Sequence, residues 1–169
     1  GYQERIHSIH IIGSALTPDY DSKHSDINSI CVLHKMDLDF LEYLAPLGKK
    51  YGKKRLSAPL IMTPNYIESS LDVFPLEFLN IKLLHATLLG DDIFQDIAID
   101  VSDLRHQCER EIKVRLTGLR QSFLSAAGHR KVLADNFIAI VNGYIPLFRG
   151  VLLLLGNSPP AANDAVLDA

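Results

Sequence analysis

Cysteine is scarce in this chain. There are two, Cys31 and Cys108, in separate apolar-periodic segments and without the Cys-x-x-Cys spacing of a zinc site or redox pair. That argues against a disulfide framework or a zinc centre, and buried reduced thiols in a cytoplasmic compartment are expected instead. An excess of charge of one sign is also lacking. A formal net charge of −3, with a pI near 6.2, gives no overall field that would draw the protein to nucleic acid. No apolar run is clean enough for a bilayer: the most apolar stretch, Phe137 to Leu155, is interrupted by Asn142, Gly143, Pro146 and Arg149. It reads as a buried core helix. The first residues do not read as a secretory signal, and no internal repeat or low-complexity tract is seen. The seven histidines, His7, His10, His24, His34, His85, His106 and His129, show no ligand spacing and are expected at the surface or in hydrogen bonds.

What is present is a chain of 169 residues, 47% hydrophobic and 22% charged, enough to bury a core as one ordinary domain or two small ones. The first half alternates strands and helices. Ile6 to Ile12 is short, apolar and β-branched, and Gly13-Ser14 ends it as a strand running into a tight turn would. Asp26 to Leu33 alternates in two faces, with Asp26, Asn28, Ile30 and Val32 on one, and predicts a second strand. Asp37 is placed to cap a helix carrying Phe40, Leu41, Leu44 and Leu47, which ends in the basic run Lys49 to Arg55. Pro59 to Met62 predicts a third strand, Thr63-Pro64 the start of a short helix, and Leu76 to Ile81 a fourth strand carrying Glu77.

After about Phe94 the pattern changes. Leu104, Cys108, Ile112, Leu116, Leu119 and Phe123 follow helical spacing, with Glu109 and Lys113 as an i,i+4 pair on the exposed side. A break at Ala126-Ala127-Gly128 precedes a second helix, Arg130 to Leu155, bent at Pro146. The two helices can pack as an antiparallel pair, and their unpaired apolar face suggests a homo-oligomer or a partner chain. Ser158 to Ala169 reads as a helix cut off soon after it begins, as a truncated chain would, and Gly1 as a cloning remnant.

The stretch "GSALTPDYDSKHSDINSICVL", Gly13 to Leu33, carries the chemistry. Gly13 lets the backbone come close to a phosphate, and the Ser14 hydroxyl and nearby amides can donate to its oxygens. Acids at alternate positions of the next strand would point to one face and share magnesium, with a third acid from a neighbouring strand completing a two-metal clamp at phosphorus. Asp26 fills the first position. Asn28 offers a neutral carbonyl at the second, and Glu77 is the candidate third acid, with Asp72 its substitute. The series Asp91, Asp92, Asp96, Asp100 and Asp103 reads as a solvated hinge with helix caps, or as an attraction for a polycationic substrate.

The run "IHIIGSALTPDYDSKHSDINSICVL" resembles the nucleotidyltransferase superfamily, whose members include polymerase beta and the aminoglycoside nucleotidyltransferases. Their signature is an apolar strand, Gly-Ser or Gly-Gly, a spacer, and Asp-x-Asp. "PLEFLNIKLLHATLLGDD" is similar to those enzymes' third-acid strand and the segment that follows it. The resemblance covers about residues 6 to 95. It implies an α+β fold, a nucleotidyltransferase-like mixed sheet flanked by helices over residues 1–95, followed by a helical-bundle domain over 96–169. It also implies transfer of a nucleoside monophosphate from a nucleoside triphosphate to an acceptor hydroxyl of a small molecule or protein, with Mg2+. Asp26 and Glu77 would be catalytic; Asp26, Asn28 and Glu77 would hold metal; and Gly13, Ser14 and Ser25 would hold the nucleotide. Two departures count against activity. Asn28 stands where the family has its bridging acid, and Pro18-Asp19-Tyr20-Asp21 stands where small members often carry glycine. A lapsed nucleotide-binding or protein-interaction module of the same fold is the alternative.

Overall fold

The computed structural model describes residues 2–127, 129, 131, 134 and 143–169. Its fold is mixed α/β of the α+β kind, and the chain divides into two compact units. The first comprises Gly1–Leu71 and Asn80–Ala98, the second Asp72–Leu79 and Ile99–Ala169. The second unit thus contains residues 72–79, which the sequence reading placed with the first domain.

In the first unit, β1 (Ile6–Ile12) lies between β2 (Asn28–Leu33) and β4 (His85–Gly90), and β3 (Leu60–Met62) completes the order β3-β2-β1-β4. β1 is antiparallel to both neighbours, while β2 and β3 run parallel. Residues directly opposite share a face. Ile9 pairs with Cys31 and Ile11 with Ser29, so these four belong to one side of the sheet. Ser8, His10 and Ile12 pair with Val32, Ile30 and Asn28 on the other. Helix α1 (Leu38–Gly52) covers the first side, where Phe40 and Leu44 pack with Cys31, Leu33, Ile6, Ile9 and Ile61. Asp37 caps α1 as its position predicts, accepting from the amides of Asp39 and Phe40 and pairing with Arg5. Lys49 and Lys50 occupy the last turn, where positive charge complements the helix dipole. Thr63 caps the short α2 (Pro64–Glu68) by accepting from the Tyr66 amide, with proline at the start of the helix.

Two strand expectations need correction. The fourth strand is not Leu76 to Ile81 but His85–Gly90. Leu76 to Ile81 lies inside helix α3 (Pro75–Leu83). As a strand, this segment would have mixed polar and apolar residues on both faces. As a helix it buries Leu76, Phe78, Leu79 and Ile81 and leaves Glu77 and Lys82 exposed. Proline begins it, as suits a first helical turn. The second strand also starts two residues later than predicted. Asp26 precedes it, and Ile27 pairs with the segment after α1: its amide donates to Arg55 O and its carbonyl accepts from the Ser57 amide.

In the second unit, α4 (Val101–Ser125) packs with α5 (Ile145–Leu154). Asp100 caps α4, accepting from the amides of Ser102 and Asp103. A Cβ on Gly150 would lie 2.7 Å from Leu76 Cδ1 and 2.9 Å from Cys108 Sγ, so any larger residue would displace these two side chains. Gln107 ties the start of α3 to α4: Oε1 accepts from the Leu76 amide at 2.8 Å and Nε2 donates to Glu77 Oε2 at 2.7 Å. Helix α6 (Asn163–Asp168) follows, with Val166 packed against Ile145 and Leu152. The buried Arg149 guanidinium donates to the carbonyls of Pro160 and Ala161 and to Asn163 Oδ1, fixing the approach to α6. Helix α4 ends at Ser125, and Ala127 takes a left-handed φ of 46°. Gly128 of the predicted break, and the part of the predicted second helix before Gly143 apart from Lys131 and Ala134, lie outside the described residues. Pro146 does not bend a long helix in the described part; it sits in the first turn of α5. Cys31 and Cys108 are free and buried, and burial raises both thiols above their ordinary range, which keeps them protonated and inert. Among the described residues, no helix is long and apolar enough to cross a membrane.

Candidate functional site at the Gly13 end of the sheet

β1 delivers Gly13 to one end of the sheet with φ at +78°, a backbone state that favours glycine. A Cβ added there would meet nothing within 4 Å. The space in front of it is therefore open. Its amide is engaged, donating to Leu84 O at 2.9 Å, so this N–H is not available to a phosphate. Ser14 lies in a single 3₁₀ turn, Gly13–Leu16, closed by the Thr17 amide and hydroxyl donating to Ser14 O. The Ser14 hydroxyl is half-buried and makes no hydrogen bond to a described residue.

The loop that follows is organised by Asp21. Its carboxylate accepts from the Lys23 amide and bonds His24 Nδ1 at 2.6 Å, and its carbonyl accepts from the Ser25 amide at 2.7 Å. The His24 bond is the main cause that holds the Asp21 carboxyl below its ordinary range. Ser25 Oγ accepts from the Asp21 amide, so its lone pair supports the loop. Asp26 emerges from this turn more than half exposed, with Arg55 Nη1 3.8 Å from Oδ1. Arg55 is itself held at a left-handed φ of 59°. Asn28 is exposed on β2, directly opposite Ile12.

The structure thus brings Gly13, Ser14, Asp26 and Asn28 to one end of one sheet. It does not place Glu77 there on a strand: Glu77 is on α3, in the segment belonging to the second unit, and its carboxylate accepts from Gln107. Asp72 also belongs to the second unit.

Sequence reasoning missed a pair on the Asn28 face of the sheet. Ile12 lies between Asn28 and His85 in the pairing, which puts His85 on the same face, two strands and so about 9–10 Å from Asn28. His85 Nε2 bonds Asp92 Oδ1 at 2.8 Å, and its Nδ1 faces the carbonyls of Ile81 and Lys82. Asp92 also accepts from the amides of Phe94 and Gln95. Burial pushes the Asp92 carboxyl up, as the largest single effect. The bonds from His85, Phe94 and Gln95 together outweigh it and hold the group below its ordinary range. Spacing alone could not reveal the pair, because it is made across a strand and the turn after it.

The donor set decides what metal could sit here. Asp26 supplies one carboxylate and Asn28 one neutral carbonyl, and among the described residues no three His, Cys, Asp or Glu side chains come together as ligands. This does not fit a two-metal clamp. It fits a single magnesium carried by the phosphates of a nucleotide, since Mg2+ commonly takes one or two carboxylates beside substrate phosphates. Compared with known proteins, the chain matches no family model, no curated sequence and no solved structure. The functional reading rests on this geometry and on the motif.

Proposed function

We propose that the chain is a nucleotidyltransferase-like protein that binds a nucleoside triphosphate at the Gly13 end of its sheet. The observation that carries the reading is the pairing of Ile12 with Asn28 beside a glycine at φ +78° in open space. It brings the open space beside Gly13, the Ser14 hydroxyl and the Asp26 carboxylate to one end of the sheet. In this reading Ser14 donates to a phosphate oxygen, and Asp26, with Asn28, takes part of the coordination of the nucleotide's magnesium. Ser25 acts indirectly, by holding the turn from which Asp26 emerges. The reaction such a site resembles is transfer of a nucleoside monophosphate to an acceptor hydroxyl.

Two observations favour a second reading, a lapsed module that binds without transferring. Asn28 is one formal charge short of a bridging acid, and Glu77 belongs to a helix rather than to a neighbouring strand. Loss of a metal-bridging carboxylate removes charge stabilisation worth orders of magnitude in rate. Titration calorimetry with magnesium and a panel of nucleoside triphosphates, followed by pyrophosphate release with candidate acceptors, separates the readings. Binding without turnover in the natural chain, with turnover gained in Asn28→Asp, supports the lapsed module; turnover in the natural chain supports the enzyme. Absence of nucleotide binding in both proteins would sink both.

A further inference from the structure

On the side of the first unit's sheet away from Asn28, a cavity of about 490 Å3 opens between α1 and the β2–β3 edge. The alternation that puts Asn28 on one face puts Ser29 on the other, and Ser29 lines this cavity. It is therefore separate from the nucleotide site. Leu41, Leu44 and Leu47 of α1 and Leu56, Pro59 and Ile61 opposite them make its walls apolar. Its volume is in the range of small-molecule pockets, which are mostly apolar with a few polar groups. The polar groups here are the hydroxyls of Ser29, Ser57 and Tyr51.

The chain around the lining residue Tyr51 is basic. Lys50 Nζ lies 5.4 Å from the centroid of the Tyr51 ring, itself part of the lining. Lys49, Lys53 and Lys54 are exposed in the same run, and among the described residues none of these four lysines is in an ion pair. Arg55 pairs with Asp26, so those two roughly cancel. The C-terminus of α1 contributes about half a negative charge. Four ammonium groups outweigh it, so the run around Tyr51 carries a net positive charge.

We propose that this cavity binds a small amphiphile with an apolar body and one anionic group, of the class of a medium-chain carboxylate. The body lies among the α1 leucines, and the carboxylate sits beside Lys50 and Tyr51. The proposal does not depend on the nucleotide reading.

Decanoate, below its micellar concentration, is the probe, and decanol is its uncharged counterpart. Calorimetric titration of the full chain is expected to show saturable one-to-one binding of decanoate, tighter than decanol. Gly48 lies in the lining, and a Cβ added there meets nothing within 4 Å, so Gly48→Leu adds apolar bulk to the lining from an unobstructed Cβ and suits a helix better than glycine. Its melting temperature should equal or exceed that of the natural protein while decanoate affinity falls at least tenfold. Ala45→Phe, on the same lining, is the second filling variant should Gly48→Leu melt lower. Lys50→Glu should weaken decanoate about fivefold and leave decanol unchanged. The proposal is overturned if decanoate does not bind, binds a folded filled variant as tightly, or binds no more tightly than decanol.

Discussion

Acid should destabilise the first unit through His10. The ring is fully buried, with Nε2 2.8 Å from Ser8 Oγ and Nδ1 3.0 Å from Thr87 Oγ1. Phe94 packs edge-on against it at 4.8 Å. These two hydroxyls satisfy a neutral imidazole, which donates from one nitrogen and accepts at the other. Burial is the main reason its pKa lies below the ordinary 6.5. Asp92 opposes the shift, and His85 and His7 add to it. The sign follows from linkage. Above the unfolded value the ring is neutral in both states and the stability is complete. Below it the unfolded chain takes up a proton that the folded chain resists, and stability falls until the folded value is passed. One such group gives a slope of at most about 1.4 kcal/mol per pH unit. The carboxyls that the fold depresses, Asp21, Asp37, Asp92 and Glu109, have ordinary values of 3.8 or 4.5 and lose their contribution only at lower pH. Between about pH 6.5 and pH 5, then, urea unfolding of the natural protein should weaken as pH falls, with a slope below that limit. His10→Gln, which keeps hydrogen-bonding capacity and cannot titrate, should lose less stability over the same interval. Asp92→Asn should steepen the natural slope by removing the charge that favours the imidazolium. Hydrogen exchange at the β1 amides localises the effect to this unit. Parallel stability curves for the natural protein and His10→Gln would refute the reasoning.

Further outcomes follow from close contacts. Gly90→Ala would place a Cβ 2.0 Å from His7 O at a backbone φ of +75°, so β4 must shift from β1. A loss of at least about 2 kcal/mol is expected in urea denaturation. Gln107→Leu removes the acceptor of the buried Leu76 amide and the donor to Glu77, and should cost about 1–3 kcal/mol. An unchanged denaturation midpoint would show that α3 does not depend on this bridge.

Local signals were legible in the sequence. Asp37, Thr63 and the Pro-led start of α2 sit where their capping chemistry puts them, because a cap is decided within four residues. β1 has its predicted bounds because Gly13 ends it. The segment from Leu76 to Ile81 was misread because a short apolar run has no clear period. Pro75, just ahead of it, is the signal that favours a helix. The candidate site divides in the same way. Gly13, Ser14 and Asp26 share a local pattern, whereas the His85–Asp92 pair depends on β4 joining β1 from far along the chain. Nothing in the residues near position 85 announces that partner. Asp26 likewise falls outside β2 because Ile27 bonds to Arg55 and Ser57, a choice made by the turn after α1.

β4 joins β1 only after residues 72–79, which pack with the second unit, have been made. During synthesis, β2 follows β1 closely, but the other edge of β1 waits for Gly90, 78 residues after Ile12. At ribosomal rates of roughly 5–20 residues per second, that edge stands open for about 4 to 16 s. It carries four isoleucines, two histidines and a serine, Ile6 to Ile12, whose unpaired amides and carbonyls could accept a strand from another nascent chain. The newborn protein is thus most exposed to mispairing while its sheet lacks the last strand, and a holdase that covers β1 over those seconds should raise the yield of folded chain more than one acting after release.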